Sequence, residues 1–214
     1  MKLKRLVTIA ISVLSVFFFF PSLAAGEASL GIYGGIASPS DNKLEVRGRK
    51  ERPDWDENFI VGTRLAYWFV DEEYSLNAAW FGMAMDVSYF KTESKNFDTD
   101  VYVVPITALF MFRYPGKFLQ PYVGVGGGFF FSYADGADLS SIGLGSVNYG
   151  DESRDFGFDA RAGLALKIDK VSIFGEGRYT YFEPHYKDKV SGVDVHASTD
   201  FEVYHLVAGI AYHF

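Results

Sequence analysis

Cysteine is missing from all 214 residues, which excludes a disulfide framework and any thiolate metal site. Basic charge is scarce as well, and three of the 20 Lys and Arg residues, Lys2, Lys4 and Arg5, stand within the first five positions. Without residues 1–24, which hold no acidic group, the formal charge falls from -7 to -10. A chain that acidic is no general nucleic-acid binder. Long apolar runs are also missing beyond the N-terminus, so no second segment approaches the ~20 residues that a spanning helix needs.

The N-terminal run itself, LVTIAISVLSVFFFF after MKLKR and before PSLAAGEA, is shorter than a spanning helix. It reads as a secretory signal peptide, residues 1–24, with cleavage near Ala24 or Ala25. Residues 25–214 then make one domain. Its abundant aromatics and 22 glycines, with few unbroken apolar stretches, suit many strands better than buried helices.

Alternation of period two appears eight times. In Ala28–Ala37, Leu30, Ile32, Gly34 and Ile36 oppose Ser29, Gly31, Tyr33 and Gly35. Phe59–Phe69, Trp80–Phe90, Val101–Tyr114 and Tyr122–Tyr133 repeat the pattern with Val61, Met83, Phe110 and Val125 on the apolar parity and Arg64, Asp86, Thr107 and Gly124 on the other. Asp155–Ile168 sets Phe158, Leu164 and Leu166 against Asp159, Arg161 and Lys167, and Val171–Phe182 sets Ile173 and Tyr179 against Glu176 and Arg178. The last, VYHLVAGIAYHF, carries Tyr204, Leu206, Ala208, Ile210, Tyr212 and Phe214 on one face and His205 and His213 on the other.

Connections alternate in length: long polar segments at about 38–58, 91–100, 134–154 and 183–200, short ones at 70–77, 115–120 and 169–170. This is the layout of an all-β, eight-stranded antiparallel up-and-down transmembrane β-barrel with both termini in the periplasm. A soluble lipocalin-like barrel would show the same alternation with the apolar parity inward. Against it, glycine, alanine, serine and a few charges on the other parity suit a narrow interior better than a solvated surface. Aromatics at strand ends, such as Tyr67, Phe69, Tyr102, Tyr114, Tyr179 and Tyr212, fit two interfacial girdles.

The C-terminal pattern Ala208, Ile210, Tyr212, Phe214 resembles the signal by which outer-membrane barrels are recognised by their assembly machinery. Together with GTRLAYWF (62–69), GMAMDVSYF (82–90), FRYPGKFLQPYVGVGGGF (112–129) and FGEGRYTYF (174–182), the chain resembles the small eight-stranded outer-membrane β-barrel family related to the membrane domain of outer membrane protein A, with its opacity- and adhesin-type, porin-like members. The resemblance covers the region after the signal. It implies a Gram-negative outer membrane, lipid and lipopolysaccharide as surroundings, and Ile210, Tyr212 and Phe214 as the assembly signal. Members serve as structural proteins, adhesins, small pores and lipid-modifying enzymes, so function stays open. No peptidoglycan-binding domain follows Phe214 in this sequence, so a tethering role is not expected.

Arg64, Asp86, Asp159, Arg161, Glu176 and Arg178 share the inward parity. Unpaired charge cannot persist in so dry a space, so a salt-bridge network is expected across the lumen. It would plug the barrel and fix strand register; a narrow ion path and carboxylate catalysis by Glu176 and Asp159 are the alternatives. If the network alone blocks the lumen, Arg64→Ala or Glu176→Ala should open it. GVGGG (124–128) lacks a following GK[ST] and a helix, so no phosphate loop is read there; its glycines are expected to make room for Trp68 and Phe90.

His185, Glu183, His196, Ser198 and His205 invite a deacylase reading but lack strand-borne spacing, and no ligand spacing supports a metal. No catalytic residue, metal or cofactor is therefore expected. In the first long segment Arg47, Arg49, Lys50 and Arg52, with Lys43 nearby, are candidates for lipopolysaccharide phosphates or a host polyanion, or a solvated loop. Asp135, Asp138, Asp151, Glu152 and Asp155 could hold divalent cations weakly. The expectation is a non-catalytic, monomeric barrel with a structural or surface-interaction, adhesin-like role in envelope integrity, its outer loops open to host or envelope proteins; a narrow porin is the alternative.

Overall fold

The computed structural model describes residues 26–40, 44–46, 49–51, 58–69, 80–94, 99–114, 116–138, 146–190 and 193–214; side chains are not described at 44–46, 49–51, 93–94, 99, 134–138, 146–152, 185–190 and 193–199. The expected signal peptide lies outside them. Among the described residues twelve strands follow one another: β1 Gly26–Pro39, β2 Leu44–Val46, β3 Arg49–Glu51, β4 Asn58–Phe69, β5 Phe81–Ser94, β6 Thr99–Arg113, β7 Leu119–Asp138, β8 Ser146–Ile168, β9 Val171–Phe182, β10 His185–Val190, β11 Val193–Thr199 and β12 Phe201–His213. Eight of them close a barrel in the order β1-β12-β9-β8-β7-β6-β5-β4, every neighbouring pair antiparallel. Closure leaves no unpaired edge, which is what backbone polar groups require in hydrocarbon.

The last strand seals the barrel against the first, with Leu30 opposite Tyr212 and Ile32 opposite Ile210. Beyond it, Phe214 N–H donates to Ala28 O at 2.9 Å. One end of the barrel therefore gathers both described ends of the chain and the short connections, and it is called the turn end below; the other is the loop end. At the tightest turn, Asp169 takes φ 53°, a left-handed conformation that Asp tolerates in two-residue hairpins.

Side-chain parity follows the alternation. Ile32, Phe59, Phe81, Phe110, Val125, Phe158, Ile173 and Leu206 are exposed on the outside, while Tyr33, Trp68, Phe90, Met111, Phe130 and Phe174 belong to one buried cluster inside. Outside rings gather at both ends. At the turn end they include Tyr67–Phe69 at 5.3 Å, Trp80–Tyr114 at 5.5 Å and Tyr212–Phe214 at 5.2 Å, and toward the loop end Tyr102–Tyr133 at 6.4 Å and Tyr179–Tyr204 at 5.3 Å. Two aromatic belts flanking an apolar band are the dress of a barrel in a bilayer.

Two features differ from the sequence expectation. First, β7 and β8 run on as a hairpin of 20 and 23 residues, pairing as far as Asp138 opposite Ser146, with an irregularity between Asp135 and Ala137. Outside the bilayer the ladder continues without an apolar face, so the hydrophobic alternation ends before the strand does. Second, the connections at both sides of β1 and β12 are not plain loops: β10, β11, β2 and β3 form a four-stranded sheet, joined by Ala197, Ser198 and Thr199 opposite Val46, Glu45 and Leu44.

The glycines of 124–128 also act otherwise than expected. A Cβ at Gly126 or Gly128 would stand 2.0 Å from the carbonyl oxygens of Ala108 or Ile106, so what they permit is close approach of the β6 backbone. Gly124 faces Met111 and Arg161, while Trp68 rests on Gly82 of the neighbouring strand, where a Cβ would meet its ring at 2.6 Å.

Candidate functional site: the filled lumen

Inward side chains from all eight barrel strands meet in three successive layers. Following β4 from the turn end gives Trp68, Ala66, Arg64, Gly62 and Ile60; β9 gives Ser172, Phe174, Glu176, Arg178, Thr180 and Phe182. Each of these two strands thus contributes one or two residues to each layer, and depth in the barrel follows position in the strand.

The middle layer holds the six charges expected there. Asp86 Oδ1 accepts from Tyr33 Oη at 2.6 Å, and Asp86 Oδ2 accepts from Arg64 Nε at 3.1 Å and Arg161 Nη1 at 2.8 Å. Glu176 Oε1 accepts from Arg64 Nη2 at 2.6 Å and, closer still, from Arg178 Nε. Arg161 Nε donates to Asp159 Oδ1 at 2.8 Å, and Arg178 Nη1 donates to Tyr33 Oη at 2.8 Å. Three guanidinium groups face three carboxylates, so the layer is formally neutral. All six side chains are buried, which makes pairing obligatory.

Tyr33 was not singled out from the sequence. It is the one aromatic on the inward parity of β1, its ring lies over Gly62, and Arg178 stacks on it with 3.9 Å from guanidinium carbon to ring centre. Phe174 backs Arg64 in the same way at 5.3 Å. An inward aromatic opposite a cross-strand glycine, as Tyr33 is to Gly62 and Tyr122 to Gly163, is a signal that could have found both.

Toward the turn end a second ionic cluster forms around Glu27. Arg113 Nη2 and Lys167 Nζ each approach its carboxylate at 2.8 Å, and His213 Nδ1 is in contact with Oε1. Ser172 Oγ and His213 Nε2 are 2.9 Å apart, and Arg113 stacks on Trp68 at 4.2 Å. Four strands, β1, β6, β8 and β12, converge on one carboxylate. Glu27 precedes the first apolar alternation, so periodicity gave no reason to place it. Between the two clusters lies a cavity of about 60 Å³ lined by Arg64, Trp68, Met111, Tyr122 and Phe174 among others.

The loop-end layer is largely apolar, with the inward Asp155 opposite Phe130. Phe90, Phe130, Phe182 and Phe201 are at most 1% exposed, as are Ile60, Val103 and Val203. Phe130 and Phe182 stack at 4.7 Å with their planes 10° apart, Phe182 meets Phe201 at 5.1 Å, and His205 sits against Phe90 at 5.2 Å. Of this layer the sequence pointed only to Phe90 as a bulky inward side chain; Phe130, Phe182 and Phe201 stand toward the loop ends of β7, β9 and β12, where parity alone did not single them out.

The remaining candidates are placed as follows. Ile210, Tyr212 and Phe214 face outward and are exposed. Arg47 and Arg52 lie outside the described residues, and Arg49 and Lys50 are in β3 with side chains that are not described. The acids Asp135, Asp138, Asp151 and Glu152 are likewise without described side chains, while Asp155 is bonded to Ser153. In the loop sheet, backbone register sets His185 opposite Ser198 and Lys187 opposite His196; Glu183 precedes this sheet and His205 is inside the barrel. Among the described residues no group of three or more His, Asp or Glu could hold a metal.

No protein-family model matches the chain, and no curated protein sequence matches it. Solved structures do. The outer membrane protein AlkL, determined in lipid bilayers, is similar at a TM-score of 0.56 with 18% identity, over 91% of this chain and 95% of that one. The outer membrane protease OmpT from Escherichia coli is similar at 0.50 with 9% identity, over 91% and 99%. Neisserial surface protein A gives 0.49 with 14% identity, over 89% and 99%. At these identities the likeness concerns the fold: this chain has the fold of bacterial outer-membrane β-barrels.

Proposed function

We propose that the protein is a non-catalytic, monomeric outer-membrane barrel with a structural or surface-interaction role, its lumen plugged, its loop sheet displayed outward and both termini in the periplasm. On this reading residues 1–24 are a cleaved signal, residues 25–214 the barrel, and Ile210, Tyr212 and Phe214 the signal for assembly. The observation that carries it is the succession of three filled layers in one lumen. An ion crossing would have to displace an apolar aromatic layer, a neutral ion-pair network and the Glu27 cluster in turn. Eight strands leave an interior that side chains can fill, and here they do.

Lumen catalysis by Glu176 and Asp159 finds little support, since a general acid or base needs a reachable proton site and both carboxylates are buried, Glu176 bonded to Arg64 and Arg178 and Asp159 to Arg161. A porin would need an open path. Planar-bilayer recordings on the refolded protein test the reading. The expected result is a silent membrane; steady single-protein conductance steps would replace the plugged barrel with the porin.

A further inference from the structure

On the outside of β8, the residues of one parity from the turn end upward are Ile168, Leu166, Leu164, Ala162, Ala160, Phe158 and Phe156. Seven apolar side chains in succession face the lipid. The next on that parity is Arg154, exposed, with its guanidinium carbon 4.8 Å from the ring centre of Phe129 and 5.2 Å from that of Phe131 on β7. Its chain neighbours point inward: Ser153 is bonded to Asp155. Among the residues whose side chains are described no carboxylate pairs with Arg154.

Depth follows from geometry. The turn Asp169–Lys170 is charged and exposed, so Ile168 marks the start of the apolar band. A strand rising ~3.3 Å per residue at a tilt of ~40° climbs about 2.5 Å per residue along the membrane normal. The ~25 Å apolar band is crossed in about ten residues and ends near Phe158. Arg154 then lies about 10 Å beyond, past the hydrocarbon and at the level of lipid headgroups.

At that level the cation needs an anion, and the two rings decide its presentation. The rings of Phe129 and Phe131 hold the guanidinium from the β7 side, and a guanidinium lying on an aromatic face keeps its edge N–H donors free for another partner. A planar fork held in this way matches two phosphate oxygens. We propose that Arg154, seated on Phe129 and Phe131, is a binding site for the phosphate of a membrane lipid at the loop-end interface. The site uses other residues than the basic segment 47–52, and it holds whichever role the lumen has.

Native mass spectrometry of the full barrel in detergent tests it, with phosphatidic acid as the probe, diacylglycerol of the same chains as its uncharged counterpart, and inorganic phosphate alone. The wild type should retain phosphatidic acid over diacylglycerol. Arg154→Ala should weaken that retention roughly ten- to a hundredfold, the range for charge-assisted hydrogen bonds, and Arg154→Lys, which keeps the charge without the fork, should fall between. Because Arg154 is outside the barrel core, both variants should still shift on gels after boiling. Unchanged retention in Arg154→Ala, equal retention of diacylglycerol, or the same Arg154-dependent occupancy with inorganic phosphate would overturn the proposal.

Discussion

At the residue scale the network turns on Asp86, whose carboxylate takes donors from Tyr33, Arg64 and Arg161 on three other strands. Asp159 is held by one arginine, Arg161. Removing an acid from a buried cluster costs most where it leaves several cations uncompensated. Asp86→Ala should therefore destabilise the barrel by about 3–5 kcal/mol, and Asp159→Ala by about 1–3 kcal/mol. Urea unfolding in phospholipid vesicles, followed by tryptophan fluorescence, measures both; equal losses would mean that the network is not centred on Asp86. The six charges were legible from the sequence because a buried charge on a strand of lipid-facing alternation has only the lumen to occupy. Glu27 and Tyr33 were not: their partners Arg113, Lys167, His213, Asp86 and Arg178 lie on other strands, and only barrel closure brings them together.

At the element scale, the eight barrel strands were legible for the stretch that crosses the apolar band, since lipid on one side and a packed lumen on the other impose the period-two pattern that defines them. Where lipid ends the pattern ends, and β7 and β8 were underestimated for that reason. The loop sheet was illegible for another: LEV and RKE, residues 44–46 and 49–51, are too short to show a period, and β11 finds β2 only because β1 and β12 are neighbours at the seam. Sheet hydrogen bonds should be visible in exchange. Replacing residues 44–51 by a Gly-Ser linker should speed amide hydrogen exchange at 197–199, where β11 pairs with β2, and leave β12 protected; unchanged exchange at 197–199 would show that the two connections are not joined in solution.

At the scale of the whole molecule, the question is what closes the lumen. The sequence offered only the charges, and from them Arg64→Ala or Glu176→Ala should suffice to open a path. The structure adds a second barrier in series, the layer of Phe90, Phe130, Phe182 and Phe201. A dry apolar constriction excludes ions by keeping water out, and it does so whatever the state of the ion pairs below it. Arg64→Ala alone should then remain silent in bilayer recordings. Phe130→Ala with Phe182→Ala should also remain silent, because the neutral network still fills the lumen beneath. Because the Glu27 cluster remains as a third layer, only these three substitutions combined with Arg113→Ala should give discrete conductance steps, provided that the variant still shifts on gels after boiling. Steps from Arg64→Ala alone would show that the phenylalanines part freely and that the network is the sole gate. The two outcomes separate a barrel built to stay shut from one held shut by a single set of ion pairs.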